Sequence, residues 1–158
     1  MIPTQELKSF ALFKGLTDKQ LDKISGLCNQ HTLEKGSLVF AQGKPAMELH
    51  LCKTGRVEIT VQLREPWGIE IPVHTSGPGE VFGWSALVEP RLYTASAKCV
   101  EKTEDIYLKG SDLQEVFQKE PVIGYIVMTN LSTVISSRLT ETRQKLAIEI
   151  ANAKRKEW

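Results

Sequence analysis

The sequence is poor in the features that mark most specialised chains. Its 158 residues include three cysteines, Cys28, Cys52 and Cys99, widely spaced and never in a C-x-x-C pair. An odd and scattered set argues against a disulfide framework and against a zinc site. The three histidines, His31, His50 and His74, form neither H-x-H nor H-E-x-x-H, and no carboxylate cluster joins them, so no metal site is expected. Charge of one sign is missing as well. Twenty Lys and Arg against 19 Asp and Glu leave a net charge of +1, too little to draw the chain to nucleic acid or anionic lipid. The longest apolar run, residues 122–128, is interrupted by Gly124 and too short to span a bilayer. The first residues, MIPTQELKSF, contain no apolar stretch of the kind a secretory signal needs. A cytoplasmic setting away from membranes is the expectation.

What is present is an ordinary globular composition, 41% hydrophobic and 25% charged, over a length suited to one domain. The periodicity divides the chain into a helical lead-in (1–30), a β-roll (31–110) and C-terminal helices (111–155). Phe10, Leu12, Phe13 and Leu16 lead into Leu21, Ile24 and Leu27 at helical spacing. Thr17 followed by Gln20 predicts a capping box. Short apolar runs then alternate with glycine turns: LVFAQG, LHLCKTG, VEITVQL, IEIPVHTSGPGE, TASAKCV and DIYL. Regular short strands of this kind imply an all-β roll, sandwich or barrel. Each cysteine has an apolar neighbour and reads as a small buried hydrophobe; a redox switch would need an exposed, acidic thiol.

From Ser111 the helical period returns. Ser111 or Asp112 can cap a short helix that buries Leu113, Val116 and Phe117. Pro121 suits the first turn of a second helix of some thirty residues. Leu131, Ile135, Leu139, Leu146 and Ile150 form a stripe along it, interrupted by Thr142 and Arg143. Arg138, Glu141, Lys145 and Glu149 occupy the expected outer face. A helix so long cannot bury its whole length on a small roll, which predicts a homodimer through this stripe. The alternative is a helix lying wholly on its own domain.

Gly36, Gly43, Gly55, Gly79 and Gly83 each sit where a strand run stops. Their settings, L-E-K-G-S-L-V-F-A-Q-G-K-P, L-H-L-C-K-T-G-R-V-E-I and G-P-G-E-V-F-G-W-S-A-L, resemble the cyclic-nucleotide-binding domain family. That family includes catabolite-activator-type regulators and the regulatory subunits of protein kinase A, and the likeness covers roughly residues 7–146. It implies helices before an eight-stranded jelly roll (a double-stranded β-helix) and a long C-terminal helix that closes over the pocket or dimerises. It also implies a phosphate-binding cassette, matched here by Phe82, Gly83, Trp84, Ser85, Ala86 and Leu87, in which backbone N–H groups face a cyclic phosphate.

Two side chains that fix the ligand in that family have no counterpart here. The glutamate that receives the ribose hydroxyl is replaced by Trp84. The arginine that pairs with the phosphate, ahead of Thr94-Ala95-Ser96-Ala97, is replaced by Tyr93. Each contact is worth about 1.5–3 kcal/mol, so their loss predicts cyclic AMP or cyclic GMP binding weaker by about two to four orders of magnitude. Arg91, two positions before Tyr93, is an alternative guanidinium if it shares a strand face with it. Trp84 and Tyr93 either wall a pocket for another small anionic or aromatic ligand or fill the cavity outright, leaving a structural, dimerising module. No cofactor is otherwise expected.

Other signals are weaker. Gly83-Trp84-Ser85-Ala86 has the outline of a nucleophile elbow, but no histidine follows Ser85, so an enzyme is not expected. His74 as a haem ligand has no support beyond its residue type. Lys154-Arg155-Lys156 suits a helix C-terminus. The chain ends soon after the long helix, with no room for a helix-turn-helix, so direct DNA binding is not expected.

Overall fold

The computed structural model describes residues 1–157. The chain opens with α1 (Thr4–Leu7), a 3-10 turn over Ala11–Phe13, and α2 (Asp18–Ser25). At α2 the Thr17 hydroxyl accepts from the Gln20 N–H, and the Gln20 side chain accepts from the Thr17 N–H at 2.9 Å. This is the capping box expected from the T-x-x-Q spacing. The helical spacing of Phe10, Leu12, Phe13 and Leu16 resolves into the tight turn instead of an α-helix, because an i, i+3 recurrence also fits 3-10 geometry.

Eight strands follow: β1 (Asn29–Leu33), β2 (Leu38–Phe40), β3 (Glu48–Thr54), β4 (Val57–Gln62), β5 (Glu70–Ser76), β6 (Val81–Phe82), β7 (Ser96–Cys99) and β8 (Thr103–Lys109). They form two antiparallel four-stranded sheets, in the orders β1-β8-β3-β6 and β2-β7-β4-β5. This is the jelly roll that the resemblance implied. Leu49, His50, Leu51 and Cys52 on β3 are buried without alternation, because helices cover one face of the first sheet and the second sheet covers the other. The larger core sets Leu7, Phe10, Leu21 and Ile24 of the lead-in against Leu49, Ile106, Leu108 and Leu113. The smaller lies between the sheets around Cys52, Val57, Phe82, Ala97 and Cys99. All three cysteines are buried, and burial pushes the Cys28 and Cys52 thiols up to about 12. Thiols so raised are inert in the way a small hydrophobe is.

The C-terminal part begins with α3 (Gly110–Lys119), whose N-cap is Lys109 and not the expected Ser111 or Asp112. Gly110 packs so closely on the Ala86 carbonyl that a Cβ there would lie 2.5 Å from its oxygen. That close approach, and not a side-chain cap, sets where α3 starts. The final element, α4 (Pro121–Lys156), carries proline in its first turn as expected and runs 36 residues, roughly 54 Å at 1.5 Å per residue.

Two expectations for α4 are corrected. Leu131, assigned to the partner-facing stripe, is buried with Ile123 and Val127 in the chain's own core, and Ile135 packs against the same cluster. Periodicity reports a buried face but not whose body buries it. Leu139 and Leu146 remain 46% and 59% exposed. The supposed outer face also turns inward: Arg138 reaches Glu80, Glu141 lies 3.7 Å from His74, and Lys145 donates to the Val73 carbonyl at 3.2 Å. Glu149 is exposed, as expected. An 18-residue window of α4 reaches a mean hydropathy of 1.2, enough by length and composition to cross a membrane, a span the short run at 122–128 had not suggested.

Candidate functional site

The cassette sits at the end of β6. Gly83 turns the chain with φ +70, and residues Trp84–Leu87 follow as one 3-10 turn. A Cβ on Gly83 would meet Phe40 Cε2 at 3.0 Å and His50 Cδ2 at 3.1 Å. Both the left-handed backbone and the lack of space therefore select glycine. The turn is closed by Ala86 N–H to the Gly83 carbonyl at 3.3 Å and Val88 N–H to the Ser85 carbonyl at 3.2 Å.

Above this turn lies a cavity of about 70 Å3. Of the residues singled out in the sequence, Phe82, Gly83, Trp84, Ser85, Tyr93 and Thr94 line it. Ala86 and Leu87 do not; both are buried, and Ala86 packs beneath α3. Phe40, Ile59, Ala95 and Arg138 complete the lining; the first three fall within the segments that carry the resemblance, and Arg138 falls outside them.

Arg91 is not brought to this cavity. It follows Pro90 in a left-handed backbone, φ +57, and its N–H bonds the Val88 carbonyl, so it belongs to a turn and strand parity does not apply. Its Nη2 donates to Gln114 on α3 at 2.7 Å, and it lines a separate cavity with Pro45, Met47 and Ser111. Its candidacy as a replacement guanidinium fails on this geometry.

Tyr93 is buried and held on two sides. Its ring stacks on Phe40 with centroids 3.8 Å apart and planes 9° apart. Its hydroxyl donates to the Glu48 carbonyl at 2.8 Å. Burial raises the phenol above its ordinary pKa, so it stays neutral. Trp84 is half-buried, and the Arg138 guanidinium lies 5.4 Å from the centre of its ring, within cation–π range.

Arg138 reaches the site from mid-α4. Its Nη2 donates to Glu80 Oε1 at 3.0 Å, and the same oxygen is 3.3 Å from His74 Nε2. Glu80 Oε2 accepts the Gly77 N–H at 2.6 Å. One carboxylate thus joins the turn before β6, strand β5 and helix α4. Burial, then the Arg138 charge, holds the His74 pKa below its ordinary value. His74 is engaged in this cluster, and nothing in its surroundings favours the haem reading.

Beneath the cradle, Asp105 Oδ2 bridges His50 Nδ1 at 2.7 Å and His31 Nε2 at 2.8 Å. Asp105 Oδ1 is buried without a partner, and the His50 ring stacks on Phe82 at 5.2 Å. The β1-β8-β3 register assembles this group by placing His31 opposite Asp105, a pairing invisible until strand order is known. Among the described residues, no group of three His, Cys, Asp or Glu is placed to hold a metal ion.

Relatives agree with this architecture. A cyclic AMP receptor protein of Thermus thermophilus is 28% identical over 140 residues, covering 89% of this chain and 62% of that protein. A CRP-like cAMP-activated global transcriptional regulator of Mycobacterium tuberculosis is 25% identical over 136 residues, covering 86% of this chain and 58% of its own length. The chain thus spans less than two thirds of either relative. A cyclic nucleotide-binding domain from Methylobacillus flagellatus has the same fold, with a TM-score of 0.80 at 16% identity, covering 93% of this chain and 82% of that one. The sequence profile of the cyclic nucleotide-binding domain matches residues 30–120, more than half of the molecule and the span that holds both sheets, the Gly83 cradle and α3. The chain belongs to the cyclic nucleotide-binding domain family.

Proposed function

We propose that the chain is a non-enzymatic, cytoplasmic ligand-sensing domain that dimerises through α4 and does not hold cyclic AMP or cyclic GMP as its relatives do. One observation carries this reading. The cavity over Gly83 measures about 70 Å3, against roughly 300 Å3 or more for pockets that enclose a ligand of nucleotide size. Tyr93, stacked on Phe40 and tied to Glu48, stands at the sequence position where the resemblance implies an arginine, and Trp84 stands at the glutamate position. The relatives' names, a receptor and a transcriptional regulator, support a regulatory role.

Exposed Leu139, Leu146, Ile148 and Ile150 on α4 support self-association. DNA recognition is left out of this reading, because the net charge of +1 supplies no electrostatic footprint. A second reading, a structural module with a filled pocket, is favoured by the same buried Tyr93. The open space beside Ser85 and the guanidinium at its edge favour sensing instead. Isothermal calorimetry with both cyclic nucleotides tests the proposal. No saturable heat is expected with either, and a Kd below roughly 1 µM for one of them overturns it.

A further inference from the structure

We propose that Arg138 is the anchor of an oxyanion site in the cavity over Gly83, and that its ion pair with Glu80 is the resting contact such an anion displaces. This rests on reading that cavity as a ligand site, and it adds the class of ligand and the residue that holds it.

Among the described residues, Arg138 is the one charged side chain lining the cavity. The remaining surface is aromatic or aliphatic apart from the hydroxyls of Ser85 and Thr94, the Tyr93 hydroxyl being committed to Glu48. The guanidinium side chain is 16% exposed, so its charge acts through a medium that screens less than water. Among the described residues, Nη2 is the sole nitrogen of Arg138 with a protein hydrogen-bond partner, and a guanidinium has five N–H donors in a planar fork suited to carboxylate or phosphate oxygens. A volume of about 70 Å3 accepts a compact oxyanion head but not a nucleotide.

Glu80 is built to release Arg138. It keeps the Gly77 N–H and His74 as partners when the guanidinium leaves, and its own side chain is 40% exposed to water. The exchange substitutes one oxyanion for another on the same cation, and the released Glu80 carboxylate is solvated by water and held by the Gly77 N–H and His74. Arg138 lies where α4 passes from its buried stretch, ending near Ile135, to its exposed one beginning at Leu139. Occupancy of the cavity is thereby communicated to the half of α4 that a second copy meets. The anchoring charge comes from the helix and not from the roll.

Inorganic phosphate, acetate and benzoate, titrated at constant ionic strength, separate a free mineral anion from a carboxylate on an apolar or aromatic body. The readout is the 1H–15N spectrum, followed at the amides of Gly83, Ser85 and Thr94 and at Arg138 Nε–H. Saturable shifts at both places are expected in the unmodified chain, strongest for benzoate because Phe40 and Trp84 border the cavity. Arg138→Met weakens binding by about 10- to 100-fold, as loss of a charge-assisted contact requires. Arg138→Lys, which keeps the charge, retains part of the affinity and guards against misreading a folding defect. Glu80→Gln tightens binding, because it removes the competitor. If Glu80→Gln weakens binding as much as Arg138→Met, the pair is structural and the proposal falls. If shifts at Gly83 and Ser85 persist in Arg138→Met at unchanged affinity, the cavity binds a ligand but Arg138 is not its anchor. If none of the anions produces a saturable shift in the unmodified chain, the oxyanion site is wrong, while the nucleotide result by calorimetry stands apart.

Discussion

Alanine placed at three glycines separates the two reasons for which glycine is required in this roll. Gly36, Gly55 and Gly83 have φ of +91, +95 and +70, so each substitution carries a conformational cost of about 1–2 kcal/mol. They differ in space. An added Cβ meets nothing within 4 Å at Gly36, side-chain atoms at 3.0 and 3.1 Å at Gly83, and backbone atoms at 2.5 and 2.7 Å at Gly55. Gly36→Ala is therefore expected to cost about 1–2 kcal/mol from backbone conformation alone. Gly83→Ala adds about 1–3 kcal/mol for displacing the Phe40 and His50 rings. Gly55→Ala costs most, because the Lys102 carbonyl cannot rotate away. At about 2–4 °C per kcal/mol for a chain of this size, the steps are resolvable by thermal melting. Urea unfolding followed by circular dichroism gives the differences directly, provided the slope m is unchanged. The backbone angles alone make Gly83 the mildest site, since its φ is nearest the left-handed minimum. Finding Gly83→Ala no costlier than Gly36→Ala would show that the packing under the cradle is loose, and the reasoning on that turn would fail.

Three further outcomes are expected. Leu139→Glu with Leu146→Glu converts a dimer to a species near 17.7 kDa by light scattering; a mass unchanged by the pair of substitutions places the interface elsewhere. Leu131→Ala costs about 2–5 kcal/mol in urea unfolding, whereas exposed Leu139→Ala is expected to change monomer stability by no more than about 0.5 kcal/mol; equal effects would contradict the assignment of Leu131 to the chain's own core. Because the native His74 pKa is held below its ordinary 6.5, the unfolded chain binds the proton more readily, and stability falls as pH drops through and below that value. His74→Gln should lessen the loss measured by urea midpoints between about pH 7 and pH 5, and an identical pH profile in both proteins would refute it.

The parts of the fold legible in sequence are those governed by local rules. Thr17 with Gln20, Pro121 and Gly83 each act on backbone within a few residues, and each stands where its chemistry predicts. Strand β1 was missed because N-Q-H-T-L has little apolar content, and its place depends on pairing with β8. The cassette was readable as a segment, but its wall was not. Arg138 lies 55 positions beyond Gly83 and read as a solvated helix charge, since the amino-acid pattern does not reveal that α4 passes over Glu80. Arg91 failed for the opposite reason: adjacency in sequence suggested adjacency in space, and a left-handed turn after Pro90 sent the side chain to α3. Leu131 and Leu139 share one stripe, and only the packed structure divides them between the chain's own core and open surface.

Past Lys145, the described contacts between α4 and the roll cease, and the helix continues to Lys156. From Leu139 onward it amounts to fewer than twenty residues with little tertiary support, a length at which an isolated helix is marginal in water. With the proposed self-association through α4, its order is tied to the supply of a second copy: dilution should fray the C-terminal turns first, and helix content should rise with protein concentration while the roll stays unchanged.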